Sequence, residues 1–286
     1  MLQDLKKGRL ENEFKVLAPE GKDRVVCVRD GRILLTRDGE AGLILPTVAQ
    51  VTDWAAAWDR WEPQGFRYIF RMEEENYFLW MGRAGECEEV GFSYEQARGL
   101  RQAVSQEVCY ACMTAWHLYN WYASNRFCGK CGGRTVHDEK ERMVRCEHCG
   151  QMIFPRISPA VIVGVTDGDR LLLTKYAGRS YAHYALIAGY TEIGETMEQT
   201  VTREVMEEVG LRVKNIRYYK SQPWGVDGNV LMGFYCDLDG DGTVTLDENE
   251  LAVAQWHERG NIPAKDDGFS LTREMIRVFD EGNEPK

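Results

Sequence analysis

Apolar and polar positions alternate with two different periods, and the change of period divides the chain into stretches. Up to about residue 92 the apolar positions come in short runs rich in β-branched and aromatic residues: Phe14 to Leu17, Arg24 to Arg29, Arg32 to Leu35, Tyr68 to Arg71, Tyr77 to Met81 and Glu89 to Phe92. That pattern predicts strands. Arg29-Asp30-Gly31-Arg32 predicts a tight hairpin, since Asp-Gly accepts positive φ at both central positions. Thr52 to Asp59 predicts a short helix. No chemical constellation stands out here, and a structural or dimerisation role is the expectation.

A long helix is predicted next. Ser93 with Gln96 three residues on fits a capping box, and the helix then runs past Ala111 towards Tyr122. Cys109 and Cys112 form a CxxC inside this aromatic-rich stretch. Buried packing explains them better than redox chemistry, which wants a βαβ context. From about Ile157 strands and helices alternate. Ala160 to Thr166 and Arg170 to Thr174 flank an Asp167-Gly168-Asp169 turn, and helices are predicted over Thr196 to Val209 and Leu271 to Asp280. Val230 to Cys236 and Ala254 to Trp256 read as strands.

Cysteine spacing adds chemistry between these regions. Six of the nine cysteines lie in CxxC pairs. Cys128-x2-Cys131 and Cys146-x2-Cys149 are spaced to place four thiolates around one ion, the closed tetrahedral shell of structural zinc. Gly132 and Gly150 follow the two knuckles, where a tight turn favours positive φ. His137 and His148 are nearby spare ligands that four thiolates make unnecessary. The spacer has mixed charge and no interleaved aromatics, so a nucleic-acid role for the ribbon is weakly supported.

The second site lies on the helix of residues 196–209. At about 100° per residue, Glu204, Glu207 and Glu208 share an arc of roughly 100°. Val205, Val209 and Met206 are expected to face a sheet. Three carboxylates on one stripe repel each other, and Arg203 can relieve only part of that. Clustered oxygen ligands of this kind suit Mg²⁺ or Mn²⁺.

Residues 189–211, GYTEIGETMEQTVTREVMEEVGL, match the Nudix box at every position: Gly189, Glu195, Arg203, Glu204, Val205, Glu207, Glu208, Gly210 and Leu211. The resemblance implies a C-terminal Nudix α/β/α sandwich with a mixed sheet, and Glu204, Glu207 and Glu208 as ligands of catalytic Mg²⁺ or Mn²⁺. It also implies that Arg203 orients Glu195, with both residues in the substrate-binding set. A four-cysteine ribbon ahead of such a box, with Ser221-Gln222-Pro223-Trp224 after it, resembles the NADH pyrophosphatase family over about residues 115–280. By that resemblance Tyr190 stacks on the nicotinamide ring and Trp224 is a second substrate-binding aromatic. Phe154 would be an aromatic supplied across a homodimer interface, and Glu250 would assist catalysis. The family reads SQPWPFPxS, whereas this chain has SQPWGVDGN and one additional residue before Leu231. Gly225 and Gly228 are therefore expected to make a more flexible loop.

The implied activity is hydrolysis of the diphosphate bond of NADH or NAD⁺ to AMP and nicotinamide mononucleotide. Removal of NAD caps from RNA, or broader action on ADP-ribose, are the alternatives. An intact glutamate set argues against a non-catalytic ligand sensor. The expected class is α+β: a β-rich domain over 1–92, a linking helix over 93–126, a zinc ribbon over 127–155 and the Nudix domain over 156–286. At 286 residues the chain suits more than one core. Its net charge of −10 argues against broad electrostatic binding of nucleic acid. No apolar run approaches a membrane span and the first residues, MLQDLKKGRLENEF, hold no apolar stretch, so a cytoplasmic protein is expected.

Overall fold

In a computed structural model the described residues are all but 7, 39–41, 58–64, 82–90, 103, 179–182 and 265–266. They form two compact units. The first comprises Asp4–Arg156 with Gly225–Asp227, the second Met1–Gln3, Ile157–Trp224 and Gly228–Lys286. Among the described residues no helix is long and apolar enough to cross a membrane.

The first unit carries strands β1 (Leu10–Glu11), β2 (Arg24–Arg29), β3 (Arg32–Asp38) and β4 (Gly42–Ile44), helix α1 (Val48–Ala57), then β5 (Phe66–Met72), β6 (Glu75–Trp80) and β7 (Phe92–Gln96). They make one sheet in the order β1-β5-β6-β2-β3-β4, with β7 paired to β3. The β2–β3 hairpin turns at Asp30 and Gly31, with φ of 47° and 76°. Both values are what the primed turn requires. Phe14 to Leu17 is not a strand. Val16 is 69% exposed there, and without a strand partner or a core to enter the β-branched run stays irregular. The expected Thr52–Asp59 helix starts earlier, at Val48, and Asp59 lies outside the described residues, as do Glu89 and Val90 of the last expected strand.

The long helix α2 spans Gln106–Ser124, and its N-cap is Ser105, whose hydroxyl accepts from the Val108 amide at 3.3 Å. Ser93 and Gln96 belong to β7 instead, with Ser93 opposite Leu35. The ladder to β3 satisfies backbone groups that a cap could only partly satisfy, so sheet pairing overrides the local capping pattern. Cys109 and Cys112 are fully buried on α2. Burial pushes the Cys109 thiol up to about 11 and raises Cys112 as well, which makes them unreactive packing groups. Three short strands follow, β8 (Thr135–His137), β9 (Val144–Cys146) and β10 (Met152–Ile153), in the antiparallel order β10-β9-β8.

The second unit contains β11 (Ser158–Asp167), β12 (Arg170–Tyr176), β13 (Ile187–Tyr190), α3 (Met197–Val209), β14 (Val213–Trp224), β15 (Asn229–Leu238), β16 (Leu251–Glu258) and α4 (Leu271–Asp280). The sheet runs β14-β15-β11-β12-β16, and β13 pairs with β11. β11 and β15 are parallel while the other pairs are antiparallel, giving the expected mixed sheet. Successive strand residues face opposite ways. Val161, Val163 and Val165 of β11, Leu172 of β12 and Phe234 of β15 pack with Val201, Val205 and Val209 of α3. Ile162, Leu171, Leu173 and Tyr235 pack on the other side with Met275, Ile276 and Phe279 of α4. Two helices on two faces of one sheet make the α/β/α sandwich. Met206 departs from expectation: its side chain is on the exposed side of α3, 43% accessible.

Ser221–Trp224 is also not a loop. It forms the end of β14, with Trp224 opposite Asn229, and residues 225–228 make the turn. Within the first unit, Gly225 approaches helix α2 so closely that a Cβ would sit 2.2 Å from the Met113 carbonyl oxygen. Trp116 Nε1 donates to the Val226 carbonyl at 3.3 Å. Glycine here serves close packing rather than mobility.

The cap reassignment is testable. Ser105→Ala is expected to remove about 1 kcal/mol of local helix stability, seen as faster hydrogen exchange of the amides at residues 107–109. Ser93→Ala should leave those amides unchanged; equal effects would restore the earlier start.

Candidate metal and diphosphate sites

The ribbon is built from two matching knuckles. The Cys128 amide donates to Gly133 O at 2.8 Å and the Cys146 amide to Gln151 O at 2.9 Å, while the Gly132 and Gly150 amides close each knuckle on Cys128 O and Cys146 O. Gly132 and Gly150 take φ of 72° and 71°. The four sulfurs lie within 4.8 Å of one another, with Cys128 Sγ to Cys149 Sγ 3.7 Å and Cys131 Sγ to Cys146 Sγ 3.5 Å. A tetrahedron with Zn–S bonds near 2.3 Å has edges of about 3.8 Å, so this donor set fits zinc and leaves no position open. The Cys149 and His148 amides pull the Cys146 thiol down to about 6, toward the thiolate that binds metal. His137 is not part of the cluster. Burial and the Arg67 charge hold it near 4, and its ring packs on Tyr122 at 4.8 Å.

The second site starts from the local structure of α3. Thr196 and Gln199 form a capping box, and Gly210 ends the helix in the left-handed region with φ of 69°. Beyond it, the Thr245 and Asp247 amides donate to Val209 O and Glu208 O at 2.9 and 3.0 Å. These bonds satisfy two carbonyls that every helix end leaves free. They also lead the chain to Glu250, whose carbonyl accepts from the Ala177 amide at 2.8 Å. Glu250 thereby lies near enough for its charge to bear on both Glu204 and Glu208.

Arg203 uses all five of its N–H donors. Nε and Nη2 grip the two oxygens of Glu195 at 2.7 and 3.0 Å, Nη1 reaches Glu204 and Glu207 at 2.8 Å each, and Nη2 also donates to Tyr190 O at 2.8 Å. Glu195 accepts further bonds from the Glu192 amide and the Thr200 hydroxyl. With Arg203 as the main cause, its carboxyl falls to about 2. The guanidinium fork thus orients Glu195. The glutamates themselves differ. Glu207 is exposed, whereas Glu204 and Glu208 are 8% and 2% accessible. Burial is the main cause that raises both carboxyls, Glu208 to about 8, helped by the charges of Glu204, Glu250 and Asp247. The Ala188 amide is near enough to offset part of this, but neither Glu208 oxygen completes a hydrogen bond.

Among the described residues only the four cysteines bring three or more metal-ligand atoms within 4.8 Å; the α3 glutamates do not converge that closely. Arg203 Nη1 holds Glu204 and Glu207, and Glu208 makes no bond to it. A buried carboxylate with both oxygens unpartnered is nevertheless a donor set that fits a divalent cation. Gly189 leaves room for the neighbouring Glu204: a Cβ there would fall 1.9 Å from the Glu204 carboxyl carbon.

Tyr190, at the end of β13, is 54% exposed, and its hydroxyl donates to Asn229 Oδ1 at 3.2 Å. Asn229 stands opposite Trp224, so the ladder gathers Tyr190, Asn229 and Trp224 at one end of the sheet. Phe154 belongs to the first unit and is 52% exposed. Sequence reasoning missed Asn229 and Asp247. The acidic run Asp247-Glu248-Asn249-Glu250 was the available signal for the latter; nothing local marked Asn229.

Two outcomes are expected. Purified protein should hold about one zinc per chain, and Cys146→Ser should lose both the metal and much stability; normal folding without zinc would refute the assignment. The second concerns Glu208. Between its ordinary value of 4.5 and about 8 the folded state keeps a proton that the unfolded chain has lost. Stability therefore falls as pH rises through that window. In buffer without added divalent cation, Glu208→Gln should raise the melting temperature near pH 8, a gain on the order of a few kcal/mol that shrinks toward pH 5. A pH-independent gain would show that proton linkage is not its cause.

Comparison with known proteins agrees with this geometry. Residues 156–279 match the NUDIX domain model, and residues 123–154 match the NADH pyrophosphatase zinc ribbon domain model. Three similar proteins are each described as "NAD-capped RNA hydrolase NudC". That of Klebsiella pneumoniae (strain 342) is 33% identical over 200 residues, covering 69% of this chain and 75% of the relative. That of Haemophilus influenzae (strain PittEE) is 35% identical over 211 residues, covering 72% and 78%. That of Pectobacterium carotovorum subsp. carotovorum (strain PC1) is 34% identical over 220 residues, covering 76% and 81%. With both motifs seated in the elements their chemistry needs, the chain belongs to the Nudix hydrolases, within the NADH pyrophosphatase family that joins a four-cysteine zinc ribbon to the Nudix fold.

Proposed function

We propose that the enzyme cleaves the P–O–P linkage of NADH or NAD⁺, giving AMP and nicotinamide mononucleotide, and acts in the cytoplasm as a homodimer. The observation that carries the reading is the buried Glu204–Glu208 pair, with unpartnered Glu208 oxygens, beside the Arg203–Glu195 fork. Mg²⁺ or Mn²⁺ held by Glu204, Glu207 and Glu208 would polarise the phosphate oxygens and offset charge that develops on them. Glu250, or one of the helix glutamates, would take the proton of the attacking water, whose oxygen forms the new bond to phosphorus. The bridging P–O bond breaks and its electrons leave with the departing phosphate. Arg203 keeps Glu195 in place, and its five bonds position the loop from Tyr190 to Thr196 on the substrate-binding side. Tyr190 and Trp224 offer flat faces for the nicotinamide end, with Asn229 holding the tyrosine hydroxyl. Phe154, exposed on the ribbon side of the chain, is the aromatic that a second copy would supply.

The names of the relatives favour a second reading, removal of an NAD cap from RNA by the same centre. Its chemistry at phosphorus is identical, and only the length of the leaving group differs. ADP-ribose, which lacks the nicotinamide ring, is the third substrate to compare.

The test is a panel of NADH, NAD⁺, ADP-ribose and NAD-capped RNA with Mg²⁺ and with Mn²⁺, run alongside light scattering for the dimer. Tyr190→Ala should raise KM severalfold for NADH and far less for ADP-ribose, since only NADH carries the ring it stacks on. Equal effects on both would make Tyr190 a packing residue and remove the nicotinamide site, leaving a metal-dependent diphosphatase.

A further inference from the structure

The tip of the β2–β3 hairpin, the end of α2 and the first turn of the ribbon border a cavity of about 650 Å³ within the first unit. That volume is within the roughly 300–1,000 Å³ usual for small-ligand sites. Arg29, Arg126 and Arg134 line it against a single carboxylate, Asp30. Asp30 lies 3.6 Å from Arg29 and neutralises that arginine alone. Arg126 and Arg134 are exposed and make no side-chain ion pair or hydrogen bond among the described residues. A local pair of free guanidinium groups is unexpected in a chain of net charge −10, where carboxylates outnumber cations.

Backbone pairing explains why they converge. Phe127 and Arg134 face each other across an isolated antiparallel bridge, and the Thr135 amide donates to Arg126 O at 3.2 Å. Arg126, Phe127 and Arg134 are thus fixed side by side by the turn that leads into the first zinc knuckle. Phe127 is 59% exposed, a large ring left uncovered beside two cations. Tyr119 lines the same cavity from α2. His137, also lining it, is close enough to Arg67 to feel its charge, and Arg67 Nε is a buried donor without a partner. Guanidinium forks match phosphate oxygens, and aromatic faces stack on bases of any sequence.

We infer that this cavity binds a nucleotide, its phosphate on Arg126 and Arg134 and its base against Phe127 and Tyr119. The site consists wholly of first-unit residues, whereas the glutamates that do the chemistry belong to the second. The ligand chemistry has two sources, a free mononucleotide or a nucleotide within an RNA chain. The inference does not depend on the proposed substrate.

Photolabelling of the zinc-loaded full-length protein with 8-azido-AMP, followed by peptide mapping, tests it. Adducts are expected on peptides holding Tyr119, Phe127 or His137. The double variant Arg126→Ala/Arg134→Ala should lose roughly tenfold of that labelling, with zinc content and NADH hydrolysis unchanged. Phe127→Leu, which keeps apolar volume but removes the ring, should lose it too. Labelling confined to peptides of residues 157–286, or undiminished in the double variant, would overturn the inference even if NADH hydrolysis is intact. Competition identifies the source: AMP protecting better than an RNA decamer supports the free nucleotide, and the reverse supports the chain. Protection by inorganic phosphate equal to that by AMP would overturn the base-stacking half.

Discussion

Two carboxylates buried on one helix set the terms for everything around them. Val201, Val205 and Val209 drive α3 onto the sheet, and that packing draws Glu204 and Glu208 out of water with it. An isolated buried carboxylate is costly, so the fold must supply positive charge, supply protons, or recruit a cation. Arg203 supplies the first, but its five donors are exhausted on Glu195, Glu204, Glu207 and Tyr190 O. Glu208 receives nothing from it. The imbalance leaves Glu208 suited to a cation, whose arrival would return as binding free energy the stability sacrificed in the cation-free protein.

The same constraint organises the neighbouring loops. Gly189 must lack a Cβ because the Glu204 carboxylate occupies its place. The Thr245 and Asp247 amides cap the end of α3 and in doing so deliver Glu250 to the cluster. The approach of Glu250 to Glu204 and Glu208 is therefore a by-product of ordinary backbone satisfaction at a helix terminus. The ribbon is organised by the opposite logic. Its four sulfurs close around one ion and leave no ligand position free, so that zinc stabilises structure and takes no part in chemistry.

The departure SQPWGVDGN shows how packing can reverse a local reading. The loss of both prolines and the presence of Gly225 and Gly228 suggest a looser loop, yet the segment is the end of a strand and a tight turn. Gly225 is set by its close approach to Met113, which no larger residue could make. Asn229 follows directly and holds the hydroxyl of Tyr190, so the segment retains order at the end of the sheet despite losing its prolines.

The sequence by itself determined the elements whose signal is local. The Asp30-Gly31 hairpin, helix α4, the two cysteine knuckles and the spacing of Glu195, Arg203, Glu204, Glu207 and Glu208 all depend on residues a few positions apart. Their turns and helical periodicity can be read without knowing what they pack on. Tertiary structure decided the rest. Ser93 and Gln96 carry a good capping pattern, but β3 offered a ladder and took them as a strand. Phe14 to Leu17 carries a good strand pattern, but no strand pairs with it. Equal-looking glutamates became one exposed and two buried groups, because the angle at which α3 meets the sheet is fixed by the β11 valines with Leu172 of β12 and Phe234 of β15, and not by the helix alone. Asn229 acquired its role only when β13 and β15 were laid on either side of β11. Such contacts join residues far apart in the chain, and no window of sequence contains both partners.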